Sequence, residues 1–421
     1  MKNINILVFL ILGIIFFISG NEVAYSQDEF DPGSAYTALG VGEMQYSSSM
    51  RTDAMGIQGV SLLGNYINRF NPAANANLSF TNISVGAKFG FLKTANSTTN
   101  STSSTGSVSG IDIGIPFNHR LGWVFNLGFS PISQVSYKIV NDVNSGGVPY
   151  KQTYAGNGGI SRINAGMTYK LFGGVNIGFQ YNYSFGNFVR SKVLDFNTVY
   201  IQNTNIRNET DTRGSFINTG FVFDIGKLYK SKIPDDFTFG FAYQSKMSLS
   251  ANLDGIYGTS IGVDTAQSSA ATIDVPECFS LGFTKKIGKQ TILSTDFLYQ
   301  DWSKNSNAGL SFVQYKNFYR IGLGIEILPM PKFDKSFFES LTYRLGAYYD
   351  KAFYVIGGQE VNRIGFTAGI QIPVSSNNSV DLGLSYFMRG NTDNNLIKDQ
   401  FLRLSASINF GELWFIKTRE D

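Results

Sequence analysis

The chain has one cysteine and one histidine in 421 residues. A lone thiol, Cys278, cannot pair within the chain, so no disulfide framework holds the fold. One imidazole, His119, and one thiol leave no His/Cys cluster for a catalytic metal, and His119 falls in a short expected turn where a Ser–His nucleophile system has no support. An enzyme is therefore not expected, and no cofactor. Charge is also scarce, and 34 basic against 31 acidic residues give a formal +3, which leaves no basic footprint for nucleic acid. Beyond the first residues no apolar run approaches the about 20 residues that a membrane helix needs. If this chain spans a membrane, it does so as a closed barrel, because only helices and closed barrels satisfy every backbone group in lipid.

Glycine (45), phenylalanine (36) and tyrosine (22) are abundant instead. Aromatics suit strands and membrane interfaces, and glycine suits close backbone approach. At the start, Lys2 precedes a largely apolar run from Ile4 to Ile18, and Ala24-Tyr25-Ser26 offers small residues for cleavage after Ser26. A signal peptide over 1–26 is expected, with a single membrane anchor as the alternative. No cysteine follows the run, so a lipoprotein anchor is not expected.

Alternation with period two recurs through the rest of the chain. In "RIGFTAGIQI" Ile364, Phe366, Ala368, Ile370 and Ile372 share one face, while Arg363, Gly365, Thr367, Gly369 and Gln371 share the other. "VNIGFQYNYSF", "YRIGLGIEI" and "LRLSASINF" repeat the pattern. A soluble sandwich also alternates, so the second face decides. Here it carries Arg, Glu, Asp, Asn and Gly, as a polar lumen would, and the apolar face has about the 9–11 residues of a tilted membrane strand. The segments number about fourteen, an even count as in bacterial barrels. The expected fold is all-β, an antiparallel transmembrane barrel with short turns at one end. Long polar loops are expected over 133–159, 187–213 and 253–270 at the other. The low-complexity stretch "ANSTTNSTSSTGS" (95–107) reads as the first outer loop.

Three features resemble the FadL family of outer-membrane transporters for long-chain fatty acids and other hydrophobic compounds. The first is a glycine-dotted segment before strand one that ends in Asn71-Pro72-Ala73. The second is "IDVPECFSLGFTKKIGKQTILSTDFLYQDWSK" (273–304). The third runs from "YRIGLG" (319–324) through "YRLGAYYD" (343–350) to "SVDLGLSYF" (379–387). The resemblance implies a monomeric fourteen-stranded barrel in the bacterial outer membrane, with a hatch (27–80) inside the barrel proper (81–421). It further implies passive uptake of a hydrophobic small molecule, in contact with outer-membrane lipid. Capture would occur in an outer groove and release sideways at a kink in strand three.

That strand is "LGWVFNLGFSPISQVSYK" (121–138), where Pro131 cannot donate to a ladder and so must bulge, end or open the pairing, a plain strand end at a loop being the alternative to an opening. The groove would involve Phe188, Leu194, Phe196, Tyr200, Ile256 and Tyr257, which otherwise pack the loops against each other. In the family an Asn-Pro-Ala turn is tied to an Asp and an Arg on late strands. Asp350 and Arg363 match those positions, so the 68–76 turn is expected beside them, with pairing between neighbouring strands as the alternative. A barrel of this kind can also serve as a cargo shuttle of the type IX secretion system. The chain runs past Phe410 to Trp414 and Phe415, candidates for a terminal aromatic belt.

Overall fold

A computed structural model describes residues 33–414, apart from 119, 197, 199, 229–236, 260–261, 305–312, 331–335 and 394–395, and at 263–266 the backbone alone. The expected signal peptide, His119 and Phe415 lie outside the described residues.

Seventeen hydrogen-bonded segments form one sheet. One is a two-residue stretch, Glu43–Met44, of the N-terminal segment, and four others are the halves of two interrupted strands, which leaves fourteen barrel strands. These are β1 (Thr81–Ala95), β2 (Asn100–Asn118), β3 (Trp123–Ser145), β4 (Val148–Phe172), β5 (Val175–Asp195) and β6 (Thr204–Asp224). Next come β7 (Phe237–Gln244 and Met247–Thr259), β8 (Gly262–Val275 and Cys278–Ile287), β9 (Thr291–Asp301) and β10 (Asn317–Ile327). The last are β11 (Thr342–Lys351), β12 (Arg363–Pro373), β13 (Ser379–Arg389) and β14 (Lys398–Glu412). Each strand pairs antiparallel with the next, and β1 pairs with β14 from Thr81↔Glu412 to Ala95↔Lys398, which closes the barrel. We call the end where β1 begins and β14 stops the inner rim, and the other end the outer rim.

Alternation sorts the side chains as lipid requires. Phe89, Phe91, Phe179, Leu281, Phe297, Leu323, Leu345, Phe366 and Leu404 lie exposed on the outer wall. Asn126, Gln180, Ser280, Asp296, Glu326, Arg344 and Asp350 are buried on the inner one. No helix among the described residues is long and apolar enough to cross a membrane.

The three stretches expected as long polar loops are mostly strand among the described residues. β3 and β4 stay paired to Ser145↔Val148, and β5 and β6 to Leu194↔Thr204. The halves of β7 and β8 pair to Thr259↔Gly262. The stretch 95–107 is mostly strand too, with β1 and β2 paired to Ala95↔Asn100. Beyond the lipid both faces of a strand meet water, so the outer parts of these segments lose the apolar alternation while the backbone ladder continues. From Gly186 to Asp195 alone, β5 runs on by roughly 30 Å at about 3.4 Å per residue.

Residues 33–80 lie against the inner wall in short elements, among them 3-10 turns at Ala35–Ala38 and Pro72–Asn77 and a helix at Met50–Ala54 capped by Ser49. Their backbone comes close enough that wall glycines are required: a Cβ at Gly346 would lie 2.1 Å from the Met55 carbonyl oxygen. Gly346→Val is expected to force this segment off the wall, since overpacking of this kind costs about 1–3 kcal/mol. Entry of a large hydrophilic antibiotic into cells should rise, while the outward-facing Ala347→Val leaves entry unchanged.

Candidate functional site

The N-terminal segment is tied to the wall by charge. Glu43 shares its carboxylate between Arg363 on β12 and Arg389 on β13, the latter at 2.9 Å. Arg363 also meets Asp350 on β11 at 2.5 Å, and Arg320 on β10 lies 3.3 Å from the same carboxylate. Arg389 reaches Asp399 on β14 at 2.9 Å and donates to the Ser34 hydroxyl at 2.7 Å. A second ladder lies nearer the inner rim. Arg51 binds Glu326, which pairs with Arg344 at 2.8 Å, and Arg344 pairs with Asp381 at 2.5 Å. Lys88 on β1 holds Asp53 at 3.3 Å. On β9 a single oxygen of Asp296 accepts from the backbone amides of Gln58, Gly59 and Val60 at 2.9, 2.6 and 3.1 Å. Buried charges persist only when paired and hydrogen-bonded, so each tie is specific to one docked position.

Asn71 caps the 3-10 turn that starts at Pro72, its Oδ1 accepting from the Ala73 amide at 3.0 Å. Its Nδ2 donates to the carbonyls of Val60 at 2.6 Å and Phe221 at 3.3 Å. Thr168 on β4 donates to the Pro72 carbonyl at 2.6 Å. A Cβ at Gly220 on β6 would fall 1.9 Å from Asn71 Oδ1. The Asn-Pro-Ala turn therefore sits on the β4–β7 wall. Asp350 and Arg363 lie on β11 and β12, so the expected neighbourhood of the 68–76 turn is not found. The contact between Arg363 and the N-terminal segment is made by Glu43 instead. Glu43, Arg51 and Asp53 went unnoticed in the sequence, although charges in a segment destined for a barrel interior are themselves a signal, because each needs a wall partner.

The six groove residues do not converge either. Phe188 is buried deep in the lumen under the Arg190 guanidinium. Leu194 lies six residues further along β5, and Phe196 packs on Tyr150, with ring centres 5.1 Å apart. Tyr200 is 93% exposed at the outer tip. Ile256 and Tyr257 are consecutive in β7 and so point to opposite faces. Much of the outer lumen is occupied by an apolar cluster in which Tyr36, Leu39, Met44 and Tyr46 pack with Trp302 and Phe353.

At Pro131 the wall itself changes partner. Pairing between β2 and β3 ends at Ile111↔Phe129. Outward of that point β2 pairs with β1, and β3 pairs with β4 across a register shift between Pro131 and Ser133. The facing edge of β3 is taken from inside by the N-terminal segment, with Glu43↔Gln134, Met44↔Ser133 and the Gln45 amide donating to the Ile132 carbonyl at 2.8 Å. Arg69 braces the β2 side, pairing with Asp112 at 2.7 Å and donating to the Ser109 carbonyl at 3.1 Å. Behind this seam lies a cavity of ≈ 50 Å³ lined in part by Met44, Tyr46, Phe70, Ile132, Arg162 and Phe216. Pro131 thus neither ends the strand nor only bends it; it marks where β3 exchanges β2 for the N-terminal segment.

A closed fourteen-stranded antiparallel barrel with an apolar outer wall, a charged inner wall and an N-terminal segment latched inside defines an outer-membrane-type barrel of FadL-like fold. The chain belongs to the BamG family, whose model matches residues 4–421. Among solved structures it is similar to a Pseudomonas aeruginosa FadL homologue, with 15% identity, a TM-score of 0.63, and 87% of this chain and 99% of that one covered. The Ralstonia pickettii toluene transporter TbuX aligns at 14% identity and a TM-score of 0.61, over 86% and 98% of the two chains. The Pseudomonas putida toluene transporter TodX aligns at 12% and 0.55, over 88% and 99%. No curated protein matches the chain. The FadL resemblance thus holds for the fold, whereas the family is BamG.

Replacing Glu43 by Ala leaves Arg363 with Asp350 and Arg389 with Asp399 but removes the carboxylate that ties both to the N-terminal segment, a loss of about 1.5–3 kcal/mol for hydrogen bonds to charged groups. Hydrogen exchange at the Gln45 amide should accelerate at least about tenfold, while exchange in β9 and β10 stays as in the wild type.

Proposed function

We infer that the protein sits in the bacterial outer membrane as a monomer and passes small hydrophobic compounds from the outside into the lipid. Residues 27–80 act as its hatch, behind a leader cleaved after residue 26. The observation that carries this reading is the seam between β2 and β3, backed by an internal cavity and covered, among the described residues, by the N-terminal segment. A hydrophobic molecule that reached the cavity would leave sideways once Glu43–Met44 withdraws from β3. Capture would use the inner face of the outer extension, where Leu194 and Tyr257 face the lumen and Phe196 stacks close by. Fatty acids follow from the FadL resemblance, and monoaromatic compounds from the toluene transporters of similar fold.

The cavity also sets a condition. An apolar space of about 150 Å³ is what holds benzene, several times the ≈ 50 Å³ present here. Passage therefore requires the segment 43–46 to move, and the seam and the latch open together.

One observation favours a second reading, an interaction barrel such as a secretion shuttle. The chain's own Tyr36, Leu39, Met44 and Tyr46 occupy the outer chamber, and a wall of paired strands from β3 to β8 projects past the membrane. Native mass spectrometry of the lipid-stripped protein with a C16 fatty acid and a monocyclic aromatic separates the two. Transport predicts adducts with at least one of them, weakened at least about tenfold by Ile132→Trp, which fills the cavity. No adduct with either, together with a stable co-purifying protein, would sink the transport reading.

A further inference from the structure

The inner rim is electrically divided. Over the described residues of 116–124, 168–176, 222–239 and 284–293, which cover the ends of β2 to β9, the cations are Arg120, Lys170, Lys227, Lys285, Lys286 and Lys289. The one carboxylate there is Asp224, and it is taken by Lys227 at 2.6 Å. The other five have no ion pair among the described residues. On the opposite arc, around the ends of β10 to β14 and β1, Glu339 and Glu412 are exposed, and no cation occurs among the described residues of 325–343, 371–381 and 408–414.

These cations form a continuous arc. The Lys170 amide donates to the Leu121 carbonyl at 2.8 Å, which joins the β2/β3 turn to the end of β4. The Asp224 amide donates to the Gly174 carbonyl at 2.6 Å, which joins the β4/β5 turn to the segment that carries Lys227. The Lys285 ammonium lies 4.8 Å over the Phe237 ring and links β8 to the start of β7. Along the same arc the outer wall ends in exposed Phe117, Trp123, Phe172 and Ile287. Exposed aromatics mark the depth at which lipid headgroups begin. Cations at that depth, beside rings and, among the described residues, with no carboxylate but the paired Asp224, meet phosphate rather than bulk water.

We propose that the inner rim from β2 to β9 binds the headgroups of anionic phospholipid in the adjoining leaflet. Lys285 and Lys286 at the end of β8 and Lys289 in the turn that follows form its densest part, and Arg120 and Lys170 extend it beneath the seam. The proposal rests on the membrane placement inferred above and not on transport, so a barrel that carries no ligand would still retain the lipid.

The test is native mass spectrometry of the full-length protein in detergent with phosphatidylglycerol, cardiolipin, phosphatidylethanolamine and phosphatidylcholine at equal concentration. Wild-type protein should retain phosphatidylglycerol and cardiolipin over the other two. Each rim cation removed should weaken this by roughly fivefold, so K285Q/K286Q/K289Q should lose on the order of 100-fold. The variant K93Q/K138Q/K151Q, with equal charge loss towards the outer rim, should keep the preference, and unchanged heat-dependent gel mobility reports that both variants fold. Equal retention of all four lipids, or equal loss in both variants, overturns the proposal. So does an absent lipid preference with a co-purifying protein lost only from the rim variant, which would assign the arc to a protein partner.

Discussion

Inside hydrocarbon a backbone amide or carbonyl has no water to turn to, and each one left unpaired costs several kcal/mol. That constraint explains both the closed ladder and what happens where it parts between β2 and β3. Between β2 and β3 the ladder stops at Ile111↔Phe129, and the amides and carbonyls of β3 that follow must be met by something else. Glu43, Met44 and Gln45 meet part of that need from the lumen side. The N-terminal segment is therefore a piece of wall as well as an occupant of the interior. Its position at the seam and its latch to the far wall are set by the same residue, since Glu43 pairs with Gln134 through its backbone and with Arg363 and Arg389 through its carboxylate.

The charge ladders carry the complementary half of the design. Each links the segment to a different set of strands: Glu43 to β12 and β13, Arg51 to β10, Asp53 to β1, and Gln58 to Val60 through Asp296 to β9. Apolar packing alone would leave the segment free to slide against a lumen of mixed polarity. Buried ion pairs penalise every register in which a charge is stranded, by more than a typical neutral hydrogen bond contributes. Wall glycines such as Gly220 and Gly346 make this possible by letting backbone approach backbone. Position and passage are thus coupled, because the seam cannot open without moving a residue whose charge is held on the opposite side.

Much of the barrel is legible in the sequence because lipid writes its signature on alternate residues. Alternation alone assigns Ile364, Phe366, Ala368 and Ile370 to one face, and the even strand number follows from counting such segments. The same logic explains what the sequence conceals. The outer parts of stretches such as 133–159 and 95–107 run past the lipid, where water wets both faces, and there the strands carry no apolar alternation to read. Parity places Asp350 and Arg363 on inner faces, but which part of the N-terminal segment they face depends on how far round the barrel each strand lies. That is a sum over every intervening strand, and no local pattern contains it. Ile256 and Tyr257 show the opposite error, two adjacent residues grouped by composition although adjacency in a strand separates them.

The wall partners of the first residues come last along the chain. Ser34 and Glu43 meet Arg389 and Asp399, more than 340 positions later. Until β12 to β14 exist those early side chains lack their full set of partners in the lumen and stay hydrated. Settling of the beginning of the polypeptide therefore reports that its end has been incorporated, so the latch doubles as a completion signal: a truncated or stalled barrel would keep its first residues loose and open to proteolysis, and a finished one would hide them.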